Sequence, residues 1–145
     1  MLYLAIFVPE GIPAPSRDIL KAPDIAKYVQ SWGKAGDYGL IAVESATQQP
    51  IGAIWLRFFS GTNPGYGYVA DDIPELSMAL LPEYRGQGVG TRLLGDLIAS
   101  STNHRAISLS VDPANAALGL YERFGFRTVG ASGTSVTMLR LNQDD

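Results

Sequence analysis

The stretch Glu75-Leu76-Ser77-Met78-Ala79-Leu80-Leu81-Pro82-Glu83-Tyr84-Arg85-Gly86-Gln87-Gly88-Val89-Gly90-Thr91 decides the reading of this 145-residue chain. Glu75 to Leu81 is an apolar run ended by Pro82, as expected of a strand. After the glycines, Val89, Leu93, Leu94, Leu97 and Ile98 fall on one face of a helix. Between the two lie Gly86, Gly88 and Gly90, three glycines in five positions. Such a loop is costly, because glycine loses the most backbone entropy on folding. A ligand approaching the backbone is the usual reason for it. Free N–H groups at a helix N-terminus, aided by the helix dipole, suit an anion such as a pyrophosphate. The plainer alternative is a tight strand-to-helix turn with glycines for close packing.

Working outward, Ala106 to Val111 reads as a further strand. Asp112-Pro113-Ala114-Asn115 reads as the start of a helix that runs through Tyr121 to Phe124 and stops at Gly125. Two closing strands, Phe126 to Val129 and Ser135 to Leu141, flank a Gly/Ser turn. Upstream, residues 9–23 carry Pro9, Gly11, Pro13, Pro15 and Pro23 and are expected to be loop. Ile25, Tyr28, Val29 and Trp32 follow at helical spacing, with Asp24 as N-cap and Gly33 near the stop. Gly39 to Glu44 and Ile51 to Phe59 read as a hairpin, and Gly61 to Tyr68 as a loop tipped by Tyr66 and Tyr68. Alternating strands and helices between hairpins predict one domain over residues 1–145, an α/β fold with a mixed sheet.

Composition removes several classes of function. Apolar residues are 46% and charged residues 17%, with a net charge of −3, and no Lys/Arg run is present, which argues against nucleic acid. The chain has no cysteine and one histidine, His104, so disulfides, a Cys nucleophile, thiolate metal sites and a multi-His metal centre are excluded. Met1 to Val8 is apolar, but it has neither a basic leader nor the length to span a bilayer. No membrane association, no metal and a cytoplasmic location are therefore expected.

Three ligand classes compete for the glycine loop. A nucleotide P-loop needs Gly-Lys-[Ser/Thr], and no lysine lies in this loop. A dinucleotide loop needs Gly-x-Gly-x-x-Gly and an acidic residue about 20 positions on, whereas the spacing here is Gly-x-Gly-x-Gly. The third class fits. Arg85-Gly86-Gln87-Gly88-Val89-Gly90 resembles the Arg/Gln-x-x-Gly-x-Gly/Ala signature of the GNAT acetyltransferase superfamily. Downstream, Asn115, then Leu120-Tyr121-Glu122 and Gly125-Phe126 resemble the family's Asn…Leu-Tyr-Glu-x-x-Gly-Phe helix. The two blocks cover about Glu75 to Val129.

The resemblance implies a mostly antiparallel mixed sheet flanked by helices, acetyl-CoA as acyl donor, and direct transfer to an amine. That amine would be a small molecule or a peptide, and the family commonly forms homodimers. Family members open on a strand before the first helix, and this chain shows helix first, so that strand is expected to be absent. By resemblance, backbone groups of Met78, Ala79 and Leu80 lie beside the pantetheine arm. The N–H groups of Gly86, Gln87, Gly88, Val89, Gly90 and Thr91 hold the pyrophosphate, with positive charge from Arg85. Tyr121 is the general-acid candidate, since a phenol with a pKa of about 10 can protonate a departing thiolate; the alternative is a core aromatic beside Leu118 and Phe124. Asn115 matches a cofactor-contacting asparagine or a plain helix cap. Glu75 is the candidate base or else a solvated strand-end charge, with Asp71, Asp72 and Glu44 as rivals. Trp32, Trp55, Tyr66 and Tyr68 are candidates for the acceptor pocket, and loops 9–23 and 61–73 for specificity. A non-catalytic acyl-CoA-binding or sensor module would keep the glycine loop and lose the acid and base.

Overall fold

The computed structural model describes residues 1–6 and 13–142. Six strands form one sheet in the order β1-β2-β3-β4-β6-β5: β1 (Tyr38–Val43), β2 (Pro50–Arg57), β3 (Glu75–Leu80), β4 (Ala106–Val111), β5 (Arg127–Ser132) and β6 (Ser135–Leu141). All neighbours pair antiparallel except β3 and β4. Those two are parallel and meet at a single register pair, Glu75 with Ser108. Beyond that pair the central strands part. The mixed, mostly antiparallel sheet is the one expected, and among the described residues no strand precedes the edge strand β1.

One face of the sheet carries the main core. Leu93, Leu94 and Leu97 of α3 (Val89–Ala99) and Tyr121 of α4 (Ala117–Arg123) pack on Ile54, Leu56, Leu76, Ile107 and Leu109. The opposite face has a smaller cluster, Ala53, Trp55 and Ala79, covered by Leu2, Leu4 and Ala5 of the one-turn helix α1 (Leu2–Ala5). With helices on one side and the N-terminal segment on the other, β2 is buried at every position after Pro50. A strand covered on both faces loses the alternation of a half-exposed one. Among the described residues no helix is long and apolar enough to cross a membrane.

Three local expectations are corrected. Residues 9–23 are not loop throughout: Arg17–Lys21 forms a 3-10 helix whose N-cap Ser16 accepts from Asp18 N at 3.2 Å, while residues 7–12 lie outside the described ones. The helix expected from Asp24 to Trp32 is α-helical only over Pro23–Ala26, here α2, and its N-cap is Ala22. Beyond it, the Arg57 guanidinium draws in the carbonyls of Lys27 (2.9 Å) and Gln30 (2.5 Å), and Ser31 turns to a φ of 55°. Tyr28 is buried as a result, while Val29 and Trp32 are exposed. The helix expected from Asp112 begins at Ala117, because Asp112 and Asn115 cap two successive turns before it, accepting from Ala114 N (2.8 Å) and Ala117 N (2.9 Å).

Candidate active site

The parting of β3 and β4 opens the sheet to two adjoining clefts. The larger, about 730 Å³, runs from the glycine loop past Met78, Ala79 and Leu80 to Asn115 and Tyr121. The smaller, about 320 Å³, holds Glu75, Tyr28 and Tyr66 and is also lined by Thr134 of the β5–β6 turn and Ser135 at the start of β6. Met78, Asn115 and Tyr121 belong to both walls, as do Ala5 and Ile6 of the N-terminal segment.

The loop end of the larger cleft leaves its backbone uncovered. Gly86 and Gly88 hold φ of 73° and 86°, a left-handed conformation that side chains disfavour, and a Cβ on either would meet nothing within 4 Å. They therefore keep open space against the backbone, unlike packing glycines. The first helical bond of α3 runs from Arg92 N to Gly88 O (3.1 Å), so the N–H groups of Val89, Gly90 and Thr91 precede any intrahelical acceptor. Gly86, Gly88, Gly90, Thr91 and Arg85 line the cleft. The side chains of Gln87 and Val89 do not: Gln87 donates to the Glu83 carbonyl (2.8 Å), and Val89 packs against the core. Those two residues have only their backbone to offer.

Strand alternation sorts the three β3 residues. Leu81 donates its N–H to Ile51 on β2 (2.9 Å), and Ala79, two residues back, faces the same way. The N–H groups of Met78 and Leu80 therefore point into the gap where β4 has departed. Tyr121 is buried, its ring packed edge-on to Phe126 at 5.7 Å, and its burial pushes the phenol well above the usual tyrosine range. It is both a core aromatic and a cleft residue. Asn115 is likewise both cap and cleft residue, its side-chain oxygen accepting from Ala117 N while the residue lines the cleft.

Glu75 differs most from a solvated strand end. It is 3% exposed; its Oε2 accepts from the Tyr28 hydroxyl (2.5 Å) and its Oε1 from Gly67 N (3.1 Å). Tyr28 Oη in turn accepts from Tyr66 N (2.8 Å). Burial pushes the Glu75 carboxyl up to about 7, against the lowering effect of both hydrogen bonds. Burial beside this carboxylate drives the Tyr28 phenol far upward, so it stays a donor. The fit of the loop onto Glu75 explains one glycine: a Cβ on Gly65 would overlap the Glu75 carboxylate.

The rival residues are placed elsewhere. Glu44 caps the β1–β2 turn through Ala46 N (3.1 Å) and Thr47 N (2.9 Å), Asp71 accepts from the Tyr68 hydroxyl and Gly61 N, and Asp72 pairs with Arg105 at 2.5 Å. Of the four aromatics, Tyr66 alone lines a cleft. Trp55 is buried with its indole N–H on the Tyr28 carbonyl (3.2 Å), Trp32 lies under the Arg57 guanidinium, and Tyr68 is tied to Asp71. Tyr28, Thr134 and Ser135 also line the smaller cleft, and their sequence neighbours do not mark them as pocket residues. Gly65-Tyr66-Gly67 was the one available signal, marking a loop that must press on something.

This architecture is shared with solved acetyltransferases. A GNAT-family acetyltransferase from Staphylococcus aureus Mu50 is similar with a TM-score of 0.68 and 19% identity, over 98% of this chain and 89% of that one. A GNAT superfamily phosphinothricin acetyltransferase from Sinorhizobium meliloti, in complex with acetyl-CoA, gives 0.64 and 21% identity over 89% and 71%. An N-acetyltransferase from Thermoplasma acidophilum, in complex with coenzyme A, gives 0.57 and 22% over 81% and 67%. These likenesses establish the fold. In sequence, an N-acetyltransferase from Streptomyces griseus is 32% identical over 97 residues, which is 65% of this chain and 49% of that relative, so the chain spans about half its length. The family model for the acetyltransferase (GNAT) family matches residues 11–126. The chain belongs to the GNAT acetyltransferase family.

Proposed function

We propose that the protein is an acetyl-CoA-dependent N-acetyltransferase that acts on a primary amine by direct transfer. The observation that carries this reading is the junction of the two clefts at Met78, Asn115 and Tyr121, with the glycine loop at one end and a buried carboxylate at the other. When bound, acetyl-CoA supplies an activated acyl group as its thioester. The free N–H groups at residues 86–91 hold its pyrophosphate, and Arg85 adds charge. Met78 or Leu80 N–H faces the acyl oxygen and stabilises the charge that develops there. Glu75, with a carboxyl near 7, takes the proton the amine must lose. Tyr121, held protonated by burial, gives its proton to the sulfur as the C–S bond breaks and the C–N bond forms. Tyr28 positions Glu75. A non-catalytic acyl-CoA-binding module is the alternative, and a carboxylate buried and tuned to neutral pH is unneeded in it.

Calorimetric titration with acetyl-CoA tests the reading, followed by amine-dependent release of free thiol. Gly88→Glu places a like charge in the cradle and is expected to abolish binding. Gly88→Ala carries the same backbone strain without the charge and is expected to weaken binding less. If the natural protein fails to bind acetyl-CoA, the reading is wrong. If it binds but acetylates no amine in a broad panel, the binding-module alternative holds.

A further inference from the structure

Glu75 has a second buried charge for a neighbour. Its register partner on β2 is Arg57, and both side chains leave the sheet on the face opposite Leu56 and Leu76 of the main core. Directly opposed residues of antiparallel strands lie about 5 Å apart, a separation that an arginine side chain spans easily. Pairing with Glu75 would satisfy both charges. Arg57 does not pair with it.

The Arg57 guanidinium turns to Asp37, donating through Nε to Oδ1 (3.0 Å) and through Nη2 to Oδ2 (2.7 Å). Its Nη1 takes the carbonyls of Lys27 and Gln30. These flank Tyr28, so the guanidinium shapes the segment that brings the Tyr28 hydroxyl to Glu75. Asp37 is anchored in turn, because its Oδ2 also accepts from Gly33 N (3.0 Å) and Lys34 N (2.9 Å). Against the raising effect of burial, Arg57 and these N–H groups hold its carboxyl below the usual range, so it stays ionised at neutral pH. The fold thus uses the donors of the guanidinium and cancels its charge. Among the described residues, the other polar groups around Glu75 are the phenols of Tyr28, Tyr66 and Tyr121, the Ser108 hydroxyl of β4, Lys27, and Asp112 in the cleft wall.

We propose that Asp37 is a positioning residue for the base: by holding and neutralising Arg57 it keeps an uncompensated positive charge from Glu75. This rests on the transferase reading above. An uncompensated guanidinium favours the ionised carboxylate and leaves it a weaker base. At an effective dielectric of about 20, a unit charge about 10 Å away moves a carboxyl by about one pH unit.

Three variants separate charge from shape, read by the acid limb of kcat/KM and by carbon NMR titration of the Glu75 carboxyl. Asp37→Asn leaves Arg57 charged, and both readouts should fall by about one pH unit or more. Arg57→Gln leaves the Asp37 carboxylate, and both should rise by a similar amount. The double variant should lie between the two. A Glu75 carboxyl that titrates unchanged or higher in Asp37→Asn overturns the proposal and leaves the transferase standing. Should Asp37→Asn fail to fold, equal titration in Arg57→Gln and the double variant overturns it. Absence of transfer to any amine brings down the transferase reading, while the titration, which needs no turnover, still judges the hold of Asp37 on Arg57.

Discussion

Removing one hydroxyl should move the pH profile of this protein. Tyr28→Phe deletes the donor 2.5 Å from Glu75 Oε2 and keeps the ring that packs on Phe59 and Tyr66. A hydrogen bond to a charged group contributes about 1.5–3 kcal/mol. At about 1.4 kcal/mol per pKa unit, its loss raises the Glu75 carboxyl by about one to two units. Starting from about 7, the carboxyl then titrates above 8. At neutral pH the ionised fraction falls from about half to a tenth or less, so kcat/KM should drop about fivefold or more and recover as pH rises. The assay is kcat/KM against pH for both proteins, with carbon NMR titration of the Glu75 carboxyl as a readout independent of turnover. An acid limb that stays near 7 while the rate falls uniformly would refute the positioning role of Tyr28. A carboxyl that titrates near 4 in the natural protein would refute the base assignment itself.

The same carboxyl has a consequence for stability. Its folded pKa lies above the unfolded value of 4.5, so the folded state holds the proton more tightly, and its contribution is full below about 4.5 and lost as pH rises through about 7. Urea unfolding should show the natural protein losing about 3 kcal/mol over that window, and Glu75→Gln should flatten the loss. The same variant should lower kcat/KM by about a hundredfold or more and remove the acid limb. Tyr121→Phe should lower kcat by about a hundredfold with acetyl-CoA affinity retained by calorimetry, because the substitution keeps the ring packed edge-on to Phe126. Asp37→Ala strands the Arg57 guanidinium, 2% exposed and paired with Asp37 at 2.7 Å, and should cost about 3–5 kcal/mol in denaturant unfolding.

Sequence reading succeeds in this chain where the chemistry is local. Three glycines between a proline-stopped strand and an apolar-faced helix have few physical explanations, and the space over Gly86 and Gly88 is unfilled. The strands and α3 were legible for the same reason, since alternation, helical spacing and Pro/Gly punctuation are properties of neighbouring residues. The segment from Asp24 to Trp32 shows where that stops. Its apolar spacing fits a helix, yet Arg57, far along the chain, takes the carbonyls of Lys27 and Gln30, and only one α-helical turn remains. Tertiary structure alone decided the small cleft. Tyr28, Gly67 and Glu75 come from three separate segments, and a carboxylate reads the same in sequence whether solvated or buried. Its tuning to about 7 comes from desolvation, a property of everything packed around it and of no single residue's neighbours in the chain.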